Sequence, residues 1–300
     1  MTTLTLFSVP KPFRGHIGII QRNAIQSWKL LRPLPEIILF GKDEGVAEAA
    51  QQFAVRHVPD VACNEYGTPL LNDLFARAQR LAGHGLLCYA NADIILMSDF
   101  AEAVQRLARR RRRFLMIGQR WDTDLCQHLD CTGDWESRLR SYAVSQGTLH
   151  PPTGVDYFVF PGGTAWEIPP FAIGRTVWDN WLIYRARALG LSVIDATEAV
   201  MAIHQHHDYL HLPAEAGDAW KGPEARRNLE LAGGGEYRFT LGDVTHKLTP
   251  TRLTLALEQR YLERHLETLP RLYPRLAPLA VIVVKALIRA QGLKRIPASS

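Results

Sequence analysis

Short apolar runs alternate with stretches of helical periodicity through the first third of the chain. Leu4 to Val9 predicts a strand closed by Pro10 and Pro12, and Ile17 to Leu31 a helix with Ile17, Ile20, Ala24 and Trp28 on one face. Glu36 to Phe40 predicts a buried strand stopped by Gly41, Glu44 to Phe53 a helix, and Val55 to Val58 a short strand. Thr68-Pro69 has the form of a helix N-cap with proline in the first helical position, followed by a helix from Leu70 to Leu81. Leu86 to Tyr89 is a fourth apolar strand, running directly into Asn91-Ala92-Asp93. Such alternation predicts a mostly parallel sheet with helices on both faces, an α/β fold.

Later the pattern is less regular. Phe114 to Ile117 and Tyr157 to Phe160 predict strands on either side of a polar stretch rich in Asp, Trp and His from Trp121 to Pro152. Val177 to Leu189 predicts a helix, Val193 to Asp195 and Val200 to His204 strands, and Leu210 to Pro250 mostly loop. Leu253 to Leu269 follows as a charged helix. The apolar run from Leu276 to Ile288 falls short of the ~20 residues of a membrane span. Its first reading is a helix packed on the core; its second is an interfacial helix, which Lys285, Arg289, Lys294 and Arg295 suit and which would give peripheral membrane contact through the tail. The expected organisation is one domain over 1–252, with halves at about 1–100 and 114–252, and a helical, basic and apolar tail over 253–300.

Composition narrows the function classes. With 300 residues, 47% of them hydrophobic, the chain can bury a full core. A net charge of +5, concentrated in Arg109 to Arg113 and in the tail, suits anionic small ligands or a membrane surface better than a nucleic-acid groove. The cysteines lack paired spacing and the N-terminus reads straight into a strand, so the expectation is a reduced, cytoplasmic protein, peripheral at the inner membrane face if the tail binds lipid.

In open α/β sheets, ligands bind beyond the carboxyl ends of the strands, which places Ser8, Lys42, Asp43 and Asn91 to Asp93 at the mouth. Asp93, directly after a buried strand, is positioned to hold a hard cation such as Mg²⁺ or Mn²⁺ against phosphate oxygens; an Asn-x-Asp turn is the plainer alternative. The polar loop Asn64-Glu65-Tyr66-Gly67-Thr68-Pro69-Leu70-Leu71-Asn72, then a helix, a strand and Asn-Ala-Asp, resembles the donor half of GT-A type glycosyltransferases that use nucleotide-diphosphate sugars. The resemblance spans roughly Thr5 to Tyr209 and rests on order and spacing, with Asn91 in place of the family's usual first aspartate.

That resemblance implies a GT-A Rossmann-like domain that moves a hexose from a nucleotide-sugar to an acceptor hydroxyl on a glycan or small molecule. It implies donor contacts at Ser8, Asp43, Asn64, Asn72 and Asn91, and a divalent cation at Asp93 with His204, or secondarily His207. By the same resemblance Asp179, early in a helix and flanked by Trp178 and Trp181, is the base of an inverting reaction; a helix-capping aspartate is the alternative. Asp156 would bind acceptor hydroxyls or serve as a turn residue, and Trp178 and Trp181 would stack on a sugar or pack in the core. Rival functions are a sugar-phosphate nucleotidyltransferase, which the Gly-poor segment after the first strand disfavours, and a nucleotide-sugar binder without turnover.

Overall fold

A computed structural model of the chain describes residues 3–206 and 220–274. The first half follows the expected alternation: β1 (Leu4–Ser8), α1 (Gly15–Leu30), β2 (Glu36–Phe40), α2 (Val46–Phe53), β3 (Arg56–Val58), α3 (Leu71–Leu81) and β4 (Leu86–Ala90). Every residue of β1 and β4 is buried, as befits central strands covered on both faces. The expected helix start at Thr68-Pro69 is displaced. Pro69 lies in an extended bridge opposite Cys63, Asn64 engages the Thr68 backbone, and α3 opens only at Leu71.

Beyond Asp93 the elements are β5 (Ile94–Ile95), α4 (Ser98–Arg110), β6 (Phe114–Ile117), β7 (Arg120–Thr123), α5 (Trp135–Gln146), β8 (Thr148–Leu149), β9 (Tyr157–Pro161), α6 (Trp178–Ala188), β10 (Ser192–Asp195) and β11 (Ala202–Gln205). The described part closes with α7 (Pro223–Leu231), β12 (His246–Leu248), β13 (Leu253–Leu255) and α8 (Gln259–Leu272). The main sheet has nine strands in the order β13-β12-β10-β6-β9-β4-β1-β2-β3. It is mixed rather than mostly parallel, because β9 runs antiparallel to both β4 and β6, and β13 antiparallel to β12. A smaller four-stranded sheet, β5-β11-β7-β8, stands apart from it.

Alternation along the central strands sends successive side chains to two cores. Phe7 and Tyr89 point to one, with α3 and α6; Leu6 and Cys88 point to the other, with α1, α2 and α4. Helices therefore cover both faces, as the pattern predicted. A third cluster, including Met97, Trp135, Leu139 and Ile203, packs α5 against the small sheet.

Two further expectations are corrected. The region expected to be loop up to Pro250 contains α7 and β12, and the expected helix from Leu253 starts instead with β13. Thus the expected boundary at 252/253 falls inside a strand pair, and α8 is fastened to the same body: Tyr261 is in the core and Arg264 donates to the Asp243 carboxylate. The apolar run from Leu276 to Ile288 lies outside the described residues. Among the described residues, no helix is long and apolar enough to cross a membrane.

Candidate active site

Parallel pairing of β1 with β2 and β4 brings their carboxyl ends to one edge, where Asn91-Ala92-Asp93 turns the chain from β4 into β5. The antiparallel strand β9 begins at this same edge, so Asp156 arrives beside Asn91. The Asn91 backbone N–H donates to the Asp156 carbonyl at 2.9 Å, and the Asn91 amide donates to the Asp156 carboxylate at 2.6 Å. The Tyr89 hydroxyl completes the chain by donating to Asn91 Oδ1 at 3.0 Å. A carboxylate in place of the Asn91 amide would face the Asp156 carboxylate with no donor between them.

Asp93 is reached from the small sheet. In β11, His204 pairs with Ile94 of β5 and, on its other side, with Asp122 of β7. His204 Nε2 lies 3.9 Å from Asp93 Oδ2, while its Nδ1 lies 3.0 Å from Asp122 Oδ1. The Asp93 main chain is fixed from below, since Gln205 Nε2 donates to its carbonyl at 3.0 Å and Asn23 of α1 donates to Gln205 Oε1 at 2.8 Å. The Lys11 ammonium, on the segment after β1, is 3.9 Å from Asp93 Oδ2. Burial lowers the pKa of Lys11, and the nearby Asp93 and Asp156 partly offset this.

Arg120 joins the two sheets. Its guanidinium donates to the Asp156 carboxylate and, at 2.8 Å, to Asp122. His150 lies 2.7 Å from the other Asp122 oxygen. Burial alone would raise the Asp122 pKa, but His204, Arg120 and His150 together hold this carboxyl well below the usual range.

Asp179 has the opposite character. It lies in the first turn of α6, which follows Val177, a β-branched residue at φ 86°. Such a backbone costs about 1–3 kcal/mol and persists only where the surroundings impose it. Here Asn228 of α7 clamps the preceding segment, bonding both backbone groups of Ala172 and the carbonyl of Thr176. Next to Asp179 in sequence, Trp178 packs edge-on against Tyr89. Burial pushes the Asp179 carboxyl up to about 7; the Asp156 charge adds to this, while backbone N–H donors and Arg120 oppose it.

Of the residues singled out in the sequence, Asn91, Asp93, Asp156 and His204 share one contact network, and Asp179 lies within electrostatic reach of Asp156. The others have different surroundings. Ser8 is fully buried and its hydroxyl donates to the Ala90 carbonyl, tying β1 to β4. Asp43 is exposed beyond β2, with its carboxyl raised by partial desolvation against the pull of Lys42. Asn64 shapes its own loop and donates to Glu224 on α7. Asn72 has a buried side-chain oxygen without a hydrogen-bond partner among the described residues. Trp178 and Trp181, 5% and 7% exposed, pack in the aromatic core. His207 lies outside the described residues. Sequence reasoning missed Lys11, Arg120, Asp122, His150 and the Asn23–Gln205 brace. Arg120 and Asp122 alternate on a polar strand, a weak signal that only the pairing of β7 with β11 turns into a site.

Among the described residues, no three His, Cys, Asp or Glu side chains form a complete metal-holding group. The Asp93–His204 pair nevertheless fits a cation that keeps most of its positions for phosphate and water, as Mg²⁺ usually does. At 3.9 Å their ligand atoms stand wider than the roughly 3.0 Å between adjacent octahedral positions with bonds of about 2.1 Å, so a cation held by both would draw the two side chains together. Asp122 behind His204 Nδ1 would fix the imidazole for ligation through Nε2.

No family model matches this chain, and no curated protein matches it. Among solved structures it is similar to the mannosyltransferase PcManGT from Pyrobaculum calidifontis, solved in complex with GDP-Man and Mn2+. The TM-score is 0.43 and the identity 13%, over 69% of this chain and 58% of that one.

Proposed function

We propose that this chain is a metal-dependent glycosyltransferase of the GT-A type, which moves a sugar from a nucleotide-diphosphate donor to an acceptor hydroxyl with inversion. The observation that carries this is the pairing, at one sheet edge, of the Asp93–His204 couple with an aspartate whose carboxyl is raised to about 7. A Mn²⁺ or Mg²⁺ ion held there would neutralise the departing diphosphate.

The chain's own residues account for the rest. Asp179 as carboxylate accepts the acceptor's hydroxyl proton while the acceptor oxygen bonds to the anomeric carbon. The bond from that carbon to the phosphate oxygen breaks, and its electron pair leaves with the diphosphate. Asp156, held by Asn91 and Arg120, offers a fixed acceptor for sugar hydroxyls. Arg120 remains charged between two aspartates, and Lys11 places a second cation beside Asp93.

A thermal-shift screen of UDP-, GDP-, TDP- and CMP-sugars with and without Mn²⁺ tests the proposal, because a ligand that binds the native state raises its melting temperature. The expected result is a shift with at least one diphosphate donor that grows with Mn²⁺, together with slow hydrolysis of that donor. Shifts independent of Mn²⁺, or binding with no hydrolysis or transfer, would refute it.

A further inference from the structure

A cavity of about 370 Å³ opens between the Asn64–Leu70 loop and α7, lined among others by Tyr66, Pro170, Ala172, Glu224, Arg227 and Asn228. Its volume falls within the range of roughly 300–1,000 Å³ typical of ligand sites. It lies on the same side of the main sheet as Asp93, because the loop follows the carboxyl end of β3 and α3 must then return to the start of β4. The floor is rigid and buried: Glu224 is paired with Arg175, which it accepts from at 2.6 Å, and Asn64 donates to its other oxygen at 2.6 Å. The rim is different. Tyr66 is half-buried and Arg227 and Glu65 are exposed, and no side-chain hydrogen bond or ion pair engages them among the described residues.

Two features say what this cleft would take. Glu224 is neutralised by Arg175, which stands behind the lining, and the rim carries one charge of each sign, Glu65 and Arg227, so neither an anion nor a cation is favoured. Fixed planar groups on the floor, the Tyr66 ring at the rim and two prolines in the lining, Pro170 and Pro223, suit a neutral ligand with many hydroxyls and apolar ring faces. The wall is also the support of Asp179. Asn228 and the Glu224–Arg175 pair hold the segment from Ala172 to Thr176, which enters α6 through the strained Val177.

We infer that this cleft is a subsite for a neutral oligosaccharide portion of the acceptor, placing its reactive hydroxyl on the Asp179 side; the inference rests on the transferase function proposed above. Tyr66 would stack on one sugar ring, and Arg227 and Glu65 would bond outward hydroxyls. The ligand is thereby read at a distance from the metal couple.

The test is binding of the purified full chain to an array of neutral, sialylated and sulfated oligosaccharides, with Tyr66→Ala and Arg227→Ala beside the wild type. The expected result is selective binding of neutral glycans, weakened at least tenfold in both variants, with an unchanged melting temperature and an unchanged nucleotide-sugar shift in Mn²⁺. No glycan bound, a preference for the anionic glycans, or binding indifferent to both substitutions would overturn the subsite. If instead the wild type shows glycan binding that both variants lose but no nucleotide-sugar shift, the cleft stands and the transferase function falls.

Discussion

Asp122 and Asp179 both feel the charge of Arg120, yet their carboxyls move in opposite directions. Asp122 belongs to the small sheet, where His204, Arg120 and His150 surround it with donors and keep it ionised. Asp179 is flanked by Trp178 and Trp181 of the aromatic core on the large sheet, and there desolvation outweighs the donors it has. The difference teaches that position near a cation does not set a carboxylate's task; the balance of desolvation and hydrogen bonds does. One aspartate is a permanent anion suited to orient His204, and the other exchanges a proton near neutral pH.

The largest effect should come from removing that exchange. Asp179→Asn is expected to lower sugar transfer by about 10²–10⁴, the usual worth of a general base, while donor affinity measured by calorimetry stays within about twofold. Next comes the opposite pole of the site. Asp93→Ala should abolish the Mn²⁺-dependent part of the donor's thermal shift, and Asp122→Asn should weaken Mn²⁺ affinity by about 10–100-fold, as loss of a partner behind a ligand does.

Asn91→Asp probes the contact between the two environments. It replaces the donor facing Asp156 with a like charge, and denaturant unfolding at pH 8 should show a loss of about 1–2 kcal/mol. At pH 4 the loss should shrink as the carboxylates protonate. The last test of the contrast is stability against pH. The Asp179 pKa is raised on folding from 3.8 to about 7, so its contribution is full below 3.8 and is lost as pH rises through 7. Melting temperatures of Asp179→Asn should therefore fall less than those of the wild type between pH 5 and pH 8.

How far this contrast was legible in the sequence follows from its physics. Leu4 to Ala90 declares its strands and helices because continuous apolar runs and helical periodicity are local properties. Asp93 and Asp156 gain candidate roles from their places at strand ends. The small sheet leaves almost no such trace: β5 and β8 have two residues each, and β7 joins β11 only through tertiary pairing. That pairing creates the low-pKa environment of Asp122, so the residue escapes a reading by periodicity. Leu253-Thr-Leu255 shows the same limit, since its helical pattern yields to a strand partner in β12. The tryptophans beside Asp179 were visible as aromatic neighbours, but their burial depended on packing against Tyr89, Phe158 and Phe171.

The pH dependence of sugar transfer at saturating donor and Mn²⁺ bears most directly on Asp179 as the base. Wild-type turnover should rise with pH along a limb of apparent pKa near 7, as the Asp179 carboxylate becomes available, and this limb should vanish in Asp179→Asn. A rising limb of unchanged position and amplitude in that variant would contradict the account.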